Sequence, residues 1–189
     1  MTSTNKPRIG CIGLGLRGSA MVQRLQSLDY PLTVVAHRNR KPIEVAVARG
    51  AKEVATAGDV AKNSDIIMLC VDTSAAVESV MKGEGGVLEQ LQPNSLVIDF
   101  GTSIPGITRQ LAEDCKAKGA AMMDAPLGRT PAMAVDGLLN IMAAGDTADF
   151  ERAKPVLEDL GENVFHVGPI GAGHTLKLIN NFLGMNMAC

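Results

Sequence analysis

The chain has 189 residues, 46% hydrophobic and 20% charged, which sets it apart from disordered chains and provides material for one full domain or slightly more. Its 18 Lys and Arg against 20 Asp and Glu leave a net charge of −2, so the broad cationic face that nucleic acid requires is missing. One Tyr, four Phe and no Trp offer little to stack on bases, and no nucleic-acid partner is expected.

The first eight residues are polar and carry no apolar leader core. A buried strand is predicted over residues 9–12, followed by Gly13-Leu14-Gly15-Leu16-Arg17-Gly18 and a helix with Met21, Leu25 and Leu28 on one face. Further strands are predicted over 32–36, 66–71, 96–100 and 120–123, with a helix bearing Ile107 and Leu111 before the last of these. The run 66–71 is the longest purely apolar one and is far shorter than the roughly 20 residues of a membrane span, so no membrane partner is expected. Two more strands are predicted at 138–144 and 164–167, with a helix over 148–160 between them that kinks or breaks at Pro155. Strands alternating with helices predict an α/β, Rossmann-type, doubly wound and mostly parallel sheet. From residue 173 the pattern stays helical to Cys189, with Leu176, Ile179 and Leu183 on one stripe and Leu178, Phe182 and Met185 on another. A helix apolar on two sides must be covered. It either docks on its own domain or leads into a second domain absent from this chain, and the second is the expectation. The domain reading is thus 1–172 for dinucleotide binding and 173–189 for the start of a long helix.

Cysteines at 11, 70, 115 and 189 show no C-x-x-C spacing, and the three histidines show no ligand spacing. This reads as reduced, cytoplasmic and free of metal.

The glycine fingerprint ends the first strand and opens a helix, the context in which it binds a dinucleotide. The first glycine permits the turn, the second lets backbone approach the pyrophosphate, and the third lets helix pack on strand. After the second strand an NAD enzyme would carry a carboxylate for the ribose 2′-hydroxyl. This chain has Ala36-His37-Arg38-Asn39-Arg40-Lys41 instead. Guanidinium suits a 2′-phosphate, so NADP(H) is expected ahead of NAD(H), with Arg38 as the main determinant and His37 beside it.

Lys177 and Asn181 are four apart and share a helix face, with Asn180 close by. A lysine ammonium beside a reacting carbonyl can donate the proton that hydride transfer demands, while an amide orients it. His174 is a rival acid–base or a cap for the helix start, and ranks below Lys177. Gly128-Arg129-Thr130 sits in a loop after a strand, and its backbone N–H groups with the guanidinium suit an anion.

Taken in series, Gly13-Leu-Gly15-Leu-Arg-Gly18, Met68-Leu-Cys-Val-Asp72, Asp99-Phe-Gly-Thr102, Asp124-Ala-Pro-Leu-Gly-Arg-Thr130 and Gly171-Ala-Gly-His-Thr-Leu-Lys177 with Asn180-Asn181 resemble the β-hydroxyacid dehydrogenase family. The resemblance covers the whole chain. It implies that Lys177 is catalytic with Asn181 as its polar partner, that Thr102 touches the nicotinamide end and that Val71 lines the adenosine side. It also implies that Gly128, Arg129, Thr130 and Asn180 hold the substrate. The expected activity is interconversion of a small anionic 3-hydroxy acid and its semialdehyde, by a dimer or tetramer completed by an all-helical second domain. Arg17 stands where the family usually has Met, Gly101 where it has Ser, and Gly-Arg-Thr where it has Ser-Gly-Gly. The last change resembles sulfolactaldehyde reductases, although those usually carry an acidic residue where this chain has Arg38. A non-catalytic dinucleotide-binding module is the reading from another class, and a 6-phosphogluconate type of enzyme would want more basic residues than Arg129.

Overall fold

The computed structural model describes residues 6–37 and 39–187. In chain order the first half contains β1 (Ile9–Ile12), α1 (Leu16–Ser27), β2 (Leu32–Val35), α2 (Lys41–Ala48), β3 (Lys52–Val54), α3 (Ala57–Lys62), β4 (Ile66–Leu69), α4 (Ser74–Lys82) and α5 (Val87–Gln90). The second half contains β5 (Leu96–Asp99), α6 (Pro105–Ala117), β6 (Ala121–Asp124), β7 (Leu127–Gly128), α7 (Pro131–Val135), β8 (Leu139–Ala143), α8 (Thr147–Leu160), β9 (Gly161–His166) and α9 (Ala172–Met187).

Six parallel strands in the order β3-β2-β1-β4-β5-β6 form the main sheet. Strands β1, β4 and β5 are buried along their whole length because helices cover both faces, so they read as continuous apolar runs. Successive side chains still divide between the two faces. Ile66, Met68, Leu96 and Ile98 join Met21, Leu25, Ile43 and Leu157 in one core. Ile67, Leu69 and Val97 join Val60, Met81 and Leu111 in the other. The chain winds outward from β1 through β2 to β3, then returns to the other side of β1 at β4. That reversal opens a crevice at the carboxyl ends of β1 and β4, the usual place for a ligand in such sheets.

The last strands depart from the expected pattern. They form a separate sheet, β7-β8-β9, joined to the main one by a bridge between Asp124 and Ala144. Past Asp124 the chain runs into Pro126, which cannot donate to a ladder, so β8 takes β7 and β9 as partners instead of extending β6. Strand β3 carries no apolar signature because it lies at the sheet edge, with Lys52 and Glu53 exposed. Helix α8 continues through Pro155 where a kink or boundary was expected. Pro155 lies on the solvent face, where water can take up the freed carbonyl, while Phe150, Ala153, Val156, Leu157 and Leu160 bury the opposite face. Helix α9 packs on α6, β6 and β8 yet leaves Leu176, Leu178, Ile179 and Leu183 exposed. Among the described residues no helix is long and apolar enough to cross a membrane.

Candidate active site

The fingerprint turn lies over the crevice between β1 and β4. Gly13 has a φ of +94°, and a Cβ there would lie 2.3 Å from the Cys70 carbonyl oxygen. A Cβ on Gly18 would lie 2.0 Å from the Gly13 carbonyl oxygen. These two glycines therefore let the turn seat on β4 and let α1 seat on the turn. Gly15 differs, since a Cβ there would meet nothing within 4 Å. Gly15 is also the N-cap of α1, with no side-chain cap and no acidic residue in the first turn. The positive end of the helix dipole thus lies beside open space, which fits a pyrophosphate. Leu14 and Arg17 are half-buried and Leu16 is 84% exposed. A contact that the motif does not reveal, from the Ser19 hydroxyl to the Leu14 carbonyl at 2.9 Å, braces the turn.

Val71 follows β4, with its Cγ1 2.9 Å from the point a Gly13 Cβ would occupy. Thr102 follows β5 and is half-buried. The loop before it is drawn in by the Gly101 N–H, which donates to Asp99 Oδ1 at 2.8 Å. A Cβ at Gly101 would lie 2.9 Å from both Asp99 Oδ1 and the Val71 carbonyl oxygen, so a side chain there would push the loop outward.

At the end of β2, His37 is exposed, and Arg38 lies outside the described residues. Arg40 is held by Glu53 at 3.0 Å. Asn39 and Lys41 line a groove of about 260 Å³ between α1 and α2, which reaches Leu14 of the fingerprint and also includes Gln23 and Arg49.

Helix α9 brings Lys177 to the same end of the sheet. The side chain is buried, with the residue only 8% exposed. Burial pushes the ammonium pKa below the ordinary lysine value, and the positive charge of Arg17 pushes it the same way. Arg17, in the glycine turn, is therefore within electrostatic reach of Lys177. Among the described residues no carboxylate pairs with Lys177, and no hydrogen bond joins it to Asn180 or Asn181, which are both exposed.

The start of α9 is fixed by a residue that sequence reasoning missed as a functional one. Asp124, fully buried at the end of β6, accepts the N–H of Gly171 on Oδ1 and the N–H of His174 on Oδ2, each at 2.7 Å. It caps the helix from 47 residues away in sequence. Desolvation raises the Asp124 pKa, and those two N–H groups oppose the rise. His174 does not itself cap the helix; its ring is sealed inside the protein at 0% exposure.

The loop Gly128-Arg129-Thr130 lies elsewhere, on the small sheet. Gly128 ends β7 and Thr130 is the N-cap of α7. Arg129 has a φ of +73° and donates to the Leu138 carbonyl oxygen at 2.7 Å. Its guanidinium also pairs with Glu162 of β9. The structure thus gathers Gly13–Gly18, Val71, Thr102 and Lys177 around the strand ends. It sets His37 and Lys41 at the α2 side, and holds Arg129 within the small sheet.

Residues 8–168 match the model of the NAD binding domain of 6-phosphogluconate dehydrogenase. The chain is 37% identical over 177 residues to the 3-sulfolactaldehyde reductase of Escherichia coli, covering 94% of this chain and 59% of that protein. It is 34% identical over 176 residues to the NAD-dependent L-serine dehydrogenase of Pseudomonas aeruginosa, covering 93% and 59%. The 3-hydroxyisobutyrate dehydrogenase of Mycobacterium tuberculosis, solved with L-serine, superposes with a TM-score of 0.87 at 25% identity, over 94% of this chain and 60% of that one. The chain therefore spans about three fifths of the length of these relatives.

Proposed function

The chain belongs to the family of the 6-phosphogluconate dehydrogenase NAD-binding domain, and from that premise we propose that it serves an oxidoreductase that uses NADP(H) to interconvert a small anionic 3-hydroxy acid and its semialdehyde. The observation that carries this reading is Lys177: a buried ammonium with no carboxylate partner among the described residues, at the strand ends beside the glycine turn. An ammonium kept in that state at a cost in desolvation is a group poised for proton transfer. A bound nicotinamide dinucleotide would supply hydride to the aldehyde carbon or accept it from the alcohol carbon. Lys177 would give its proton to the carbonyl oxygen in reduction and take one from the hydroxyl in oxidation. The first turn of α1 and Gly15 would hold the pyrophosphate, with Val71 on the adenosine side and Thr102 near the nicotinamide.

The preference for the 2′-phosphate is supported by the missing carboxylate after β2 and by Lys41 and Asn39 beside the groove, with Arg38 the residue whose charge is to be tested. Arg129 would exchange Glu162 for the anionic end of the substrate while staying anchored to the Leu138 carbonyl. The relatives named for sulfolactaldehyde, serine and hydroxyisobutyrate share a short hydroxy or aldehyde compound, and support that substrate class. The exposed apolar side chains of α9 are the surface that a helical second domain would cover, with residues 1–172 as the cofactor domain.

Two measurements test the reading. Side-by-side calorimetric titration should give tighter NADPH than NADH binding, with the preference lost in Arg38→Asp. In the full-length protein, Lys177→Ala should leave NADPH affinity nearly unchanged and lower turnover by roughly 10²-fold. Near-normal turnover in that variant would remove the lysine from the chemistry, whereas cofactor binding without turnover in the wild type would leave a cofactor-binding module.

A further inference from the structure

A buried polar cluster lies where α9 meets the ends of β5 and β6. Asp99 and Asp124 end neighbouring strands β5 and β6 in register, and both are fully buried. Asp99 accepts the Gly101 N–H at 2.8 Å and the Ser103 hydroxyl at 2.6 Å. Asp124 accepts the two N–H groups at the start of α9. The His174 imidazole lies between these carboxylates. Its Nδ1 is 2.9 Å from Thr108 Oγ1 and 3.8 Å from Asp124 Oδ2. Its Nε2 is 3.7 Å from Asp99 Oδ2, beyond hydrogen-bond range, and has no hydrogen-bond partner.

Such a cluster is costly. Two carboxylates and an imidazole sealed from water would be replaced by apolar side chains if stability alone governed the site. What the cluster achieves is orientation. The ring contacts α6 through Thr108 and faces both strand ends, while the backbone of the same residue is bonded to Asp124. These points fix α9 against sliding and against turning about its own axis.

We propose that His174 is a positioning residue for Lys177, held with Asp99, Asp124 and Thr108 so that the lysine three residues further along is kept over the ends of β5 and β6. Residues three apart share a helix face, so a locked His174 locks the direction in which Lys177 leaves the helix. A turn of α9 by about 20° would move a side-chain tip by roughly 2 Å, given the helix diameter with its side chains. Displacements of that size at a reacting group cost on the order of 10²-fold in rate. His174 makes no hydrogen bond to Lys177, so its action is geometric and not a proton relay.

The inference rests on the reading of Lys177 as the proton-transferring group, yet its test needs no turnover. The lysines of the chain are labelled with trace acetic anhydride from neutral to alkaline pH and followed by peptide mass spectrometry, with surface lysines as internal reference. In the wild type, Lys177 should titrate below the surface lysines. In His174→Asn it should move up toward them, as the ammonium gains access to water. Amide exchange over residues 172–177 should quicken by roughly tenfold. The NADPH Kd should stay within about twofold, because the fingerprint is separate from the cluster. Should His174→Asn fail to fold, Thr108→Val removes only the hydroxyl on Nδ1 and should shift both readouts in the same direction. Unchanged titration and exchange in the variants, or a wild-type Lys177 that titrates with the surface lysines, overturns the proposal. A clear shift in these readouts alongside normal turnover of Lys177→Ala would instead preserve the clamp and defeat the catalytic reading.

Discussion

Gly173 lies in the first turn of α9, between the N–H groups that Asp124 holds. A Cβ at this position would lie 2.3 Å from the Met142 carbonyl oxygen, 2.9 Å from Asp124 Oδ2 and 3.1 Å from Pro126 Cδ. The closest of these is backbone and the last is a ring atom, so neither can rotate away. In Gly173→Ala the helix must retreat by roughly 1 Å to regain ordinary contact. That retreat stretches both 2.7 Å hydrogen bonds to Asp124. Bonds to a charged group contribute about 1.5–3 kcal/mol each, and weakening the pair costs about 3 kcal/mol. Alanine returns up to about 1 kcal/mol of helix propensity, leaving a net loss of roughly 2 kcal/mol. For a chain of this size that lowers Tm by roughly 6 °C. A retreat of roughly 1 Å also carries Lys177 away from its place, with a loss of about 10²-fold in turnover of the full-length protein. Gly184→Ala is the control: it lies on the same helix, where a Cβ would meet nothing within 4 Å, and should leave Tm unchanged or slightly raised. Thermal melting of both variants decides the matter. Wild-type melting and turnover in Gly173→Ala would show that α9 is not pressed against β6 and β8 as described.

At Gly15 a Cβ would stand in open space, so Gly15→Ala should keep its Tm while the NADPH Kd rises by about tenfold or more, as read by calorimetry. Loss of stability there would contradict an open cradle. The depressed pKa of Lys177 sets the direction of the pH profiles. Reduction needs the ammonium and should fall as pH rises through a midpoint below 10.5, while oxidation needs the free amine and should rise through the same midpoint. Identical limbs in the two directions would exclude this lysine as the titrating group. The same depression bears on stability. A lysine whose folded pKa lies below its unfolded value penalises the fold while charged, and the penalty fades as pH climbs from the folded toward the unfolded pKa. Lys177→Met should therefore be more stable than the wild type at neutral pH, with a smaller gain in alkali. A less stable Met variant at neutral pH would sink that argument.

Local chemistry made much of this protein legible before any fold was known. Strands β1, β4 and β5 announce themselves as unbroken apolar runs because a strand covered on both faces tolerates nothing else. The glycine turn is readable because its demands are set within six residues by the backbone itself: a positive φ at Gly13 and a close approach at Gly18. The burial of Lys177 was readable from its apolar neighbours along one helix. Edge strand β3 was not, since Lys52 and Glu53 face water and leave no pattern. Nor was the separate small sheet, which depends on the chain leaving β6 through Pro126.

The cluster under the lysine is the clearest case of what only the tertiary structure decides. In sequence Asp99 and Asp124 are two acidic residues at strand ends, and His174 is one histidine ahead of a lysine. The register of β5 against β6 sets the two carboxylates side by side, and the capping of α9 by Asp124 draws His174 between them. The pairing of Arg129 with Glu162 arises in the same way, between the loop after β7 and strand β9, which lie on either side of β8 and far apart in sequence. Sequence periodicity reports which side of an element is apolar, because burial acts on each residue alone. Which polar groups meet inside is settled by strand register and helix docking, and those follow from the packing of the whole chain.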